Sequence, residues 1–332
     1  MSDKLPFVTK TFRKSFPFLA KDVAHYFPSH MARGMQKMQN RLKYVDGIIE
    51  VHDARISFSG RNQRFHDALG LRPHLLVLNK VDLADMSEKK TIVRKLEEDG
   101  IQKVLFTNCK VNINNTVRTK IIPAMIEMVN NVPRYHRSDA EDYNLLVIGI
   151  PNVGKSSLTN ALRRTHIQKG KATKVGARAG ITTSVLEKIV VCHQPKVYVY
   201  DTPGIMPPKI NNVEVGLKLA LCSTLQDHMV GEDTIADYML YWLNKHEHFS
   251  YVEHFGLSEP TDDVYSLLAH VAQTHNAIQR LKSSSVGGYV YRPHFIRAAQ
   301  IVIHEFREGH LGKFNLDTEI LSRNEGHQHN DR

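Results

Sequence analysis

The sequence predicts an α/β fold, a doubly wound sheet built around a phosphate loop, followed by a smaller all-α domain. Three observations predict it. Short apolar runs alternate with helical apolar spacing from about residue 45 to residue 201. One run, Leu145-Leu146-Val147-Ile148, leads straight into Gly149-Ile150-Pro151-Asn152-Val153-Gly154-Lys155-Ser156, a glycine-bounded loop of phosphate-binding type. After about Asn212 the spacing stays helical, and no run reads as a strand.

In chain order, residues 1–25 are basic: Lys4, Lys10, Arg13, Lys14 and Lys21 face only Asp3 and Asp22, with Phe12, Phe16, Phe18 and Leu19 interleaved. That pattern reads as a mitochondrial transit peptide or as an RNA-binding arm. Helical spacing runs from Arg33 to Leu42. Val45 to Val51 reads as a buried strand ending at Asp53-Ala54-Arg55, and Leu75 to Leu78 as a second, delivering Asn79 at its carboxyl end. Residues 91–98 are helical, 104–106 form a third strand and 117–130 another helix. An exposed polar linker is expected over 131–142. The phosphate loop continues into a helix from Lys155 to Leu162. Val185–Cys192 and Lys196–Asp201 are separated by only His193-Gln194-Pro195, too short for a parallel crossover, so they pair as an antiparallel hairpin. These segments give one nucleotide-binding domain over 26–211. Helices at 213–228, 234–247, 263–281 and 293–308 give a second domain over 212–322, and 323–332 reads as a disordered tail.

Composition bounds the function. Lys+Arg 44 against Asp+Glu 34 leaves a net charge of +10, which suits a polyanion such as RNA or simply a solvated basic surface. Three cysteines without a Cys-x-x-Cys pair argue against a disulfide or zinc framework. His246, His248 and His254 lack helical metal spacing. No apolar stretch approaches the roughly 18 residues that span a bilayer, so membrane contact would be peripheral.

The loop chemistry is specific. Gly149 and Gly154 let backbone amides wrap a phosphate, with Val153, Ser156 and Ser157 at the opening of the helix. Lys155 reaches the β- and γ-phosphates, and the Ser156 hydroxyl ligates Mg²⁺. Asn79-Lys80-Val81-Asp82 reads the base: Asp82 accepts from guanine N1–H and its exocyclic amine, which adenine cannot offer, while Asn79 braces the loop and Lys80 lies along the base. A site built on such hydrogen bonds rejects the wrong base by about 10⁴–10⁵-fold. This disfavours an ATP-dependent kinase. Asn108, in the turn after the third strand, places an amide near guanine O6 or is an ordinary strand end. Asp201-Thr202-Pro203-Gly204 supplies a carboxylate for a Mg²⁺-bound water and a Gly204 amide for the γ-phosphate. Thr182, or Thr183, lies in a flexible segment suited to a Mg²⁺-sensing switch. Ile205 stands where many GTPases place a water-orienting glutamine, which predicts slow intrinsic hydrolysis. Asn152 is a candidate K⁺ ligand that could compensate.

The base-reading motif precedes the phosphate loop by about seventy residues, the reverse of the usual order. In this order the chain resembles the circularly permuted GTPases of the ribosome-biogenesis GTPase A type, and within them the mitochondrial members. Tyr26-Phe27-Pro28-Ser29-His30-Met31 is similar to the family's Phe-Pro-Gly-His-Met signature, and Asp53-Ala54-Arg55 also matches. The resemblance implies a hydrolytic role for His30 in place of the glutamine and K⁺-stimulated activity through Asn152. It also implies a helical domain that contacts ribosomal RNA, and matrix-side association with the inner membrane. Ser29, Ser57 and Ala179 depart from the family's glycine, proline and proline. The implied function is GTP-driven assembly or quality control of the mitochondrial large ribosomal subunit, stimulated by the ribosome. A GTP-gated RNA scaffold without turnover, or the same work on cytosolic or nuclear pre-ribosomes, are the alternatives.

Overall fold

The computed structural model describes residues 11–17, 42–61, 72–110, 115–134, 137–167, 188–204, 210, 212–283 and 288–322. The signature holding His30, the segment holding Thr182 and Thr183, Ile205, the 323–332 tail and most of the expected 33–42 helix lie outside them. The chain divides into two compact units. One comprises 23–226 with 313–332, the other 1–22 with 227–312.

The first unit is the expected sheet. Strands β1 (Gly47–Asp53), β2 (His74–Asn79), β3 (Lys103–Phe106), β4 (Tyr143–Ile148), β5 (Lys188–His193) and β6 (Lys196–Asp201) lie in the order β3-β2-β1-β4-β6-β5. Neighbours are parallel except β5 and β6, which form the antiparallel hairpin required by their short connection. Every residue of β1 and β2 is buried. Their apolar residues therefore face both sides of the sheet, and β1 also buries Glu50, His52 and Asp53. Helices α1 (Lys89–Glu98), α2 (Asn115–Thr119), α3 (Ile121–Asn130), α4 (Lys155–His166) and α5 (Val213–Leu221) belong to the unit, together with a 3-10 turn at Ala54–Ile56 and a short helix at Thr318–Ser322. On one side Ile92 and Leu96 of α1 pack with Leu76 and Leu78 of β2. Strand order reverses between β1 and β4, so the crevice at their carboxyl ends is the place where such sheets bind ligands.

Residues 131–142 are polar, as expected, but they are anchored. The Asp46 carboxylate, buried just before β1, accepts from the Arg134 guanidinium at 2.9 and 3.1 Å and from Arg137 Nε at 3.1 Å. It also accepts from the Asn144 backbone amide at 2.7 Å. The join between the two halves of the permuted sheet is thus stapled to the first strand.

In the second unit, residues 227–312 form α6 (Asp227–Val230), α7 (Glu232–Lys245), α8 (Ser250–Phe255) and α9 (Val264–Thr274). A two-stranded antiparallel ribbon, β7 (Ile278–Ser283) and β8 (Gly288–Pro293), and then α10 (Phe295–Glu308), complete it. The ribbon corrects the expectation of an all-helical second domain. The helix expected over 263–281 stops at Thr274, because Asn276 takes a left-handed φ of 52° and an extended strand follows. Likewise the helix expected over 213–228 ends at Leu221, with Ser223 at φ 63°.

Two domain boundaries also move. Residues 212–226 and 313–322 pack with the sheet unit rather than with the helices. Residues 11–17 belong to the helical unit. There Arg13 forms ion pairs with Asp237 at 2.7 Å and Asp262 at 3.0 Å, and Phe16, buried, meets Tyr238 edge-on. A leader removed as far as residue 25 would take these contacts with it.

Candidate nucleotide site

Base-reading and phosphate-binding segments are brought together at the carboxyl ends of β2, β1, β4 and β6. Asn79, the last residue of β2, makes the join. Its Nδ2 donates to the Val153 carbonyl at 2.9 Å, and its Oδ1 accepts from the Cys109 amide at 3.1 Å. One side chain therefore fixes the phosphate loop and the 107–109 turn against the base motif. Gly154, at φ +103°, is required for this: a Cβ there would lie 2.2 Å from Asn79 Nδ2. The Asn108 side chain is turned to its own loop, accepting from the Lys110 amide at 2.9 Å.

Lys80 has a left-handed backbone, φ 62°, and its ammonium lies 2.8 Å from Asp53 Oδ2. Asp53 ends β1, directly opposite Asn79 in the strand register, and also holds Arg55 at 2.9 Å. Burial opposes the Asp53 charge, but Arg55 and Lys80 overcome it and hold the carboxylate well below its usual range. Asp53 is thus a positioning residue for the base motif that motif reading did not assign. The available signal was a buried Asp-x-Arg at the carboxyl end of the strand between the two halves. Ser57 closes the turn after it, donating to the Ala54 carbonyl at 3.1 Å. The Asp82 carboxylate points one buried oxygen, Oδ1, away from every hydrogen-bond partner among the described residues. Two parallel donors, as on the guanine edge, would satisfy it.

At the phosphate end, α4 starts at Lys155 with its amides facing the loop. The Lys155 ammonium is buried, donates to the Ile150 carbonyl at 2.8 Å, and is pushed down to about 8 by burial, with Asp201 partly opposing. Asp201 ends β6 and accepts from the Ser156 hydroxyl at 2.9 Å. Burial raises its pKa, against the pull of Lys155 and Ser156. Its other oxygen, Oδ1, is buried with no hydrogen-bond partner among the described residues. A hydroxyl beside a spare carboxylate oxygen is a donor set that fits Mg²⁺ or a Mg²⁺-bound water. Thr202 donates to the Val147 carbonyl at 2.7 Å, and Gly204 lies so close to the phosphate loop that a Cβ would fall 2.6 Å from Pro151 backbone atoms. The segment after β6 is therefore held onto the loop it is expected to sense.

Asn152, at φ 58°, points out of the phosphate loop and donates to the Ser223 carbonyl at 2.7 Å. It thereby connects the loop to the end of α5. Contacts join Asn79 to Val153 and Gly154, Lys155 and Ser156 to Asp201, and Gly204 to Pro151 of the phosphate loop, with Lys80 and Asp82 in the turn that follows Asn79. The structure does not place His30 or Thr182, which lie outside the described residues. Among those residues no cluster of His, Cys, Asp or Glu has a metal-binding arrangement, and no helix is long and apolar enough to cross a membrane.

Comparison with known proteins is consistent with this geometry. The family described as "50S ribosome-binding GTPase" matches residues 144–269, beginning at β4 and leaving the base-reading motif outside, as a permuted order requires. Mitochondrial ribosome-associated GTPase 1 of Ictalurus punctatus is 50% identical over 92% of this chain and 96% of its own length. Ribosome biogenesis GTPase A of Bacillus cereus is 30% identical over 89% of this chain and 94% of its own. Among solved structures, YlqF from T. maritima in its GNP-bound form shares the fold, with a TM-score of 0.50 and 20% identity over 84% of this chain and 95% of that one.

Proposed function

The chain belongs to the mitochondrial ribosome-associated GTPase 1 family, and from that premise we propose that it assists assembly or quality control of the mitochondrial large ribosomal subunit. It is a GTP-hydrolysing enzyme with a GTPase domain of the Mg²⁺-using kind. The observation that carries the ribosomal reading is the extent of the likeness, which runs through both units rather than the nucleotide site alone.

Within that reading each residue has a task. Asp82 selects guanine, Asn79 holds the two motifs in register, and Asp53 keeps Lys80 aligned for the base. Lys155 and the amides from Val153 to Ser157 take the phosphates. Ser156 and Asp201 hold Mg²⁺, which supplies charge neutralisation at the β- and γ-phosphates when bound. Thr182 and the Gly204 amide sense the γ-phosphate, and His30 orients the attacking water in place of the missing glutamine. Asn152 would offer its amide oxygen, Oδ1, to K⁺ while Nδ2 holds the Ser223 carbonyl. Because α5 packs in the sheet unit, the switch acts first on α5 and Ser223, from which the chain re-enters the helical unit at Asp227. The helical unit contacts ribosomal RNA, and the protein works at the matrix face of the inner membrane as a peripheral protein.

The test is GTP hydrolysis with purified mitochondrial large subunits present or absent, in K⁺ and then in Na⁺. Stimulation by the subunit, larger in K⁺ and lost in His30→Ala, is the expected result. Tight nucleotide-dependent subunit binding without stimulation in either salt would make the protein a GTP-gated scaffold.

A further inference from the structure

We propose that one face of the β7–β8 ribbon is an RNA-binding surface that stacks unpaired bases. The proposal rests on the ribosomal reading above and names the surface that carries it. The register pairs Arg280 with Tyr291, Lys282 with Tyr289 and Ile278 with Pro293. Directly opposed residues share a face, so Arg280, Lys282, Tyr289 and Tyr291 all project from the same side. All four are exposed, with Tyr289 and Tyr291 at 56% and 67%. The Arg280 guanidinium lies over the Tyr289 ring, 3.5 Å from its centroid. That stack offers a flat cationic plane, and Tyr291 a bare aromatic one.

Two further observations identify the occupant. Of the eight large hydrophobic side chains left exposed among the described residues, seven fall from Tyr265 to Ile296, and three of them, Ile278, Tyr289 and Tyr291, lie on this ribbon face. The stretch between Asp263 and Glu305 contains no acidic residue but carries Arg280, Lys282, Arg292 and Arg297. Cations alternating with aromatic faces, with no carboxylate to repel phosphate, are the means by which proteins hold single-stranded RNA. A lipid-inserting ribbon would instead carry Trp, Phe or Leu at its tip. Here the connection is Ser284-Ser285-Val286-Gly287.

The experiment measures binding of the full-length protein to fluorescein-labelled oligo(U) RNA, to mitochondrial large subunits, and to phosphatidylcholine vesicles containing phosphatidylserine. Tyr289→Ala with Tyr291→Ala should weaken RNA binding by about tenfold or more, whereas Tyr289→Phe with Tyr291→Phe should retain it. Arg280→Ala with Lys282→Ala should lower the slope of log affinity against log salt by about 1.4. Intrinsic GTP hydrolysis and thermal unfolding of each variant should match the parent. If the parent binds subunits and RNA but the variants bind both equally well, the ribbon proposal fails and the ribosomal reading stands. A parent that binds neither defeats both. Variants that lose vesicle binding while keeping RNA affinity would make the ribbon a lipid-binding surface and overturn the proposal.

Discussion

At the scale of single residues, the phosphate site shows how burial prepares a charge for a ligand. Lys155 is desolvated to a pKa of about 8, so nucleotide phosphates restore its proton as they bind. The sign follows from linkage. From about pH 8 up to the ordinary lysine value, Lys155 binds fewer protons folded than unfolded, so the nucleotide-free fold gains stability as pH rises through that window. Nucleotide affinity moves the opposite way. GDP binding should be flat below about pH 7 and should weaken by up to tenfold per unit above about pH 8. Isothermal titration in buffers of different ionisation enthalpy checks this. Proton uptake should appear near pH 8–9 in the parent and vanish in Lys155→Met, and a parent without buffer dependence would refute the argument.

At the scale of elements, the permutation requires a join between what are otherwise the end and the start of a sheet. Asp46 makes it secure, with two arginines and the Asn144 amide on one nearly inaccessible carboxylate. Asp46→Ala removes the shared carboxylate from both guanidiniums and the Asn144 amide, leaving Arg134 on the Ala140 and Asp142 carbonyls and Arg137 on the Asp142 carboxylate. We expect a loss of about 3–5 kcal/mol, read as a shift of the urea midpoint with the slope unchanged. A loss under about 1 kcal/mol would show that the join is held by packing alone. Sequence reading found the join as polar and stopped there, because nothing local in Arg134 or Arg137 indicates a partner about ninety residues away. The ribbon was missed for a different reason. Its strands are exposed and cation-rich, so Ile278 to Lys282 lack the apolar run that made β1, β2 and β4 legible, and helical spacing was carried across Asn276. Strands buried on both faces announce themselves in sequence, and strands exposed on both faces do not.

At the scale of the whole molecule, the chain starts in the helical unit, builds the sheet unit, returns to the helices and ends in the sheet unit. The motifs and their reversed order were legible because each is short and fixed by phosphate or base chemistry. The contribution of the chain's two ends was not, since it depends on contacts more than two hundred residues apart. The strongest of these is Asp317. Fully buried, it accepts from the Phe58 amide at 2.8 Å, the Ser59 amide at 2.9 Å and the Ser59 hydroxyl, and lies 3.8 Å from the Lys218 ammonium of α5. It thus ties the segment after Asp53-Ala54-Arg55 to the helix after the switch. Asp317→Ala should cost the sheet unit about 3–5 kcal/mol, lowering its thermal midpoint by roughly 10 °C. The readouts separate the units. Release of a fluorescent GDP analogue follows the sheet unit, while the chain's single tryptophan, Trp242, is buried in the helical unit and follows that one. The GDP-release midpoint should fall while the Trp242 transition stays in place. Movement of both together would mean that the units unfold as one, and movement of neither would mean that the C-terminal segment contributes nothing to the nucleotide site.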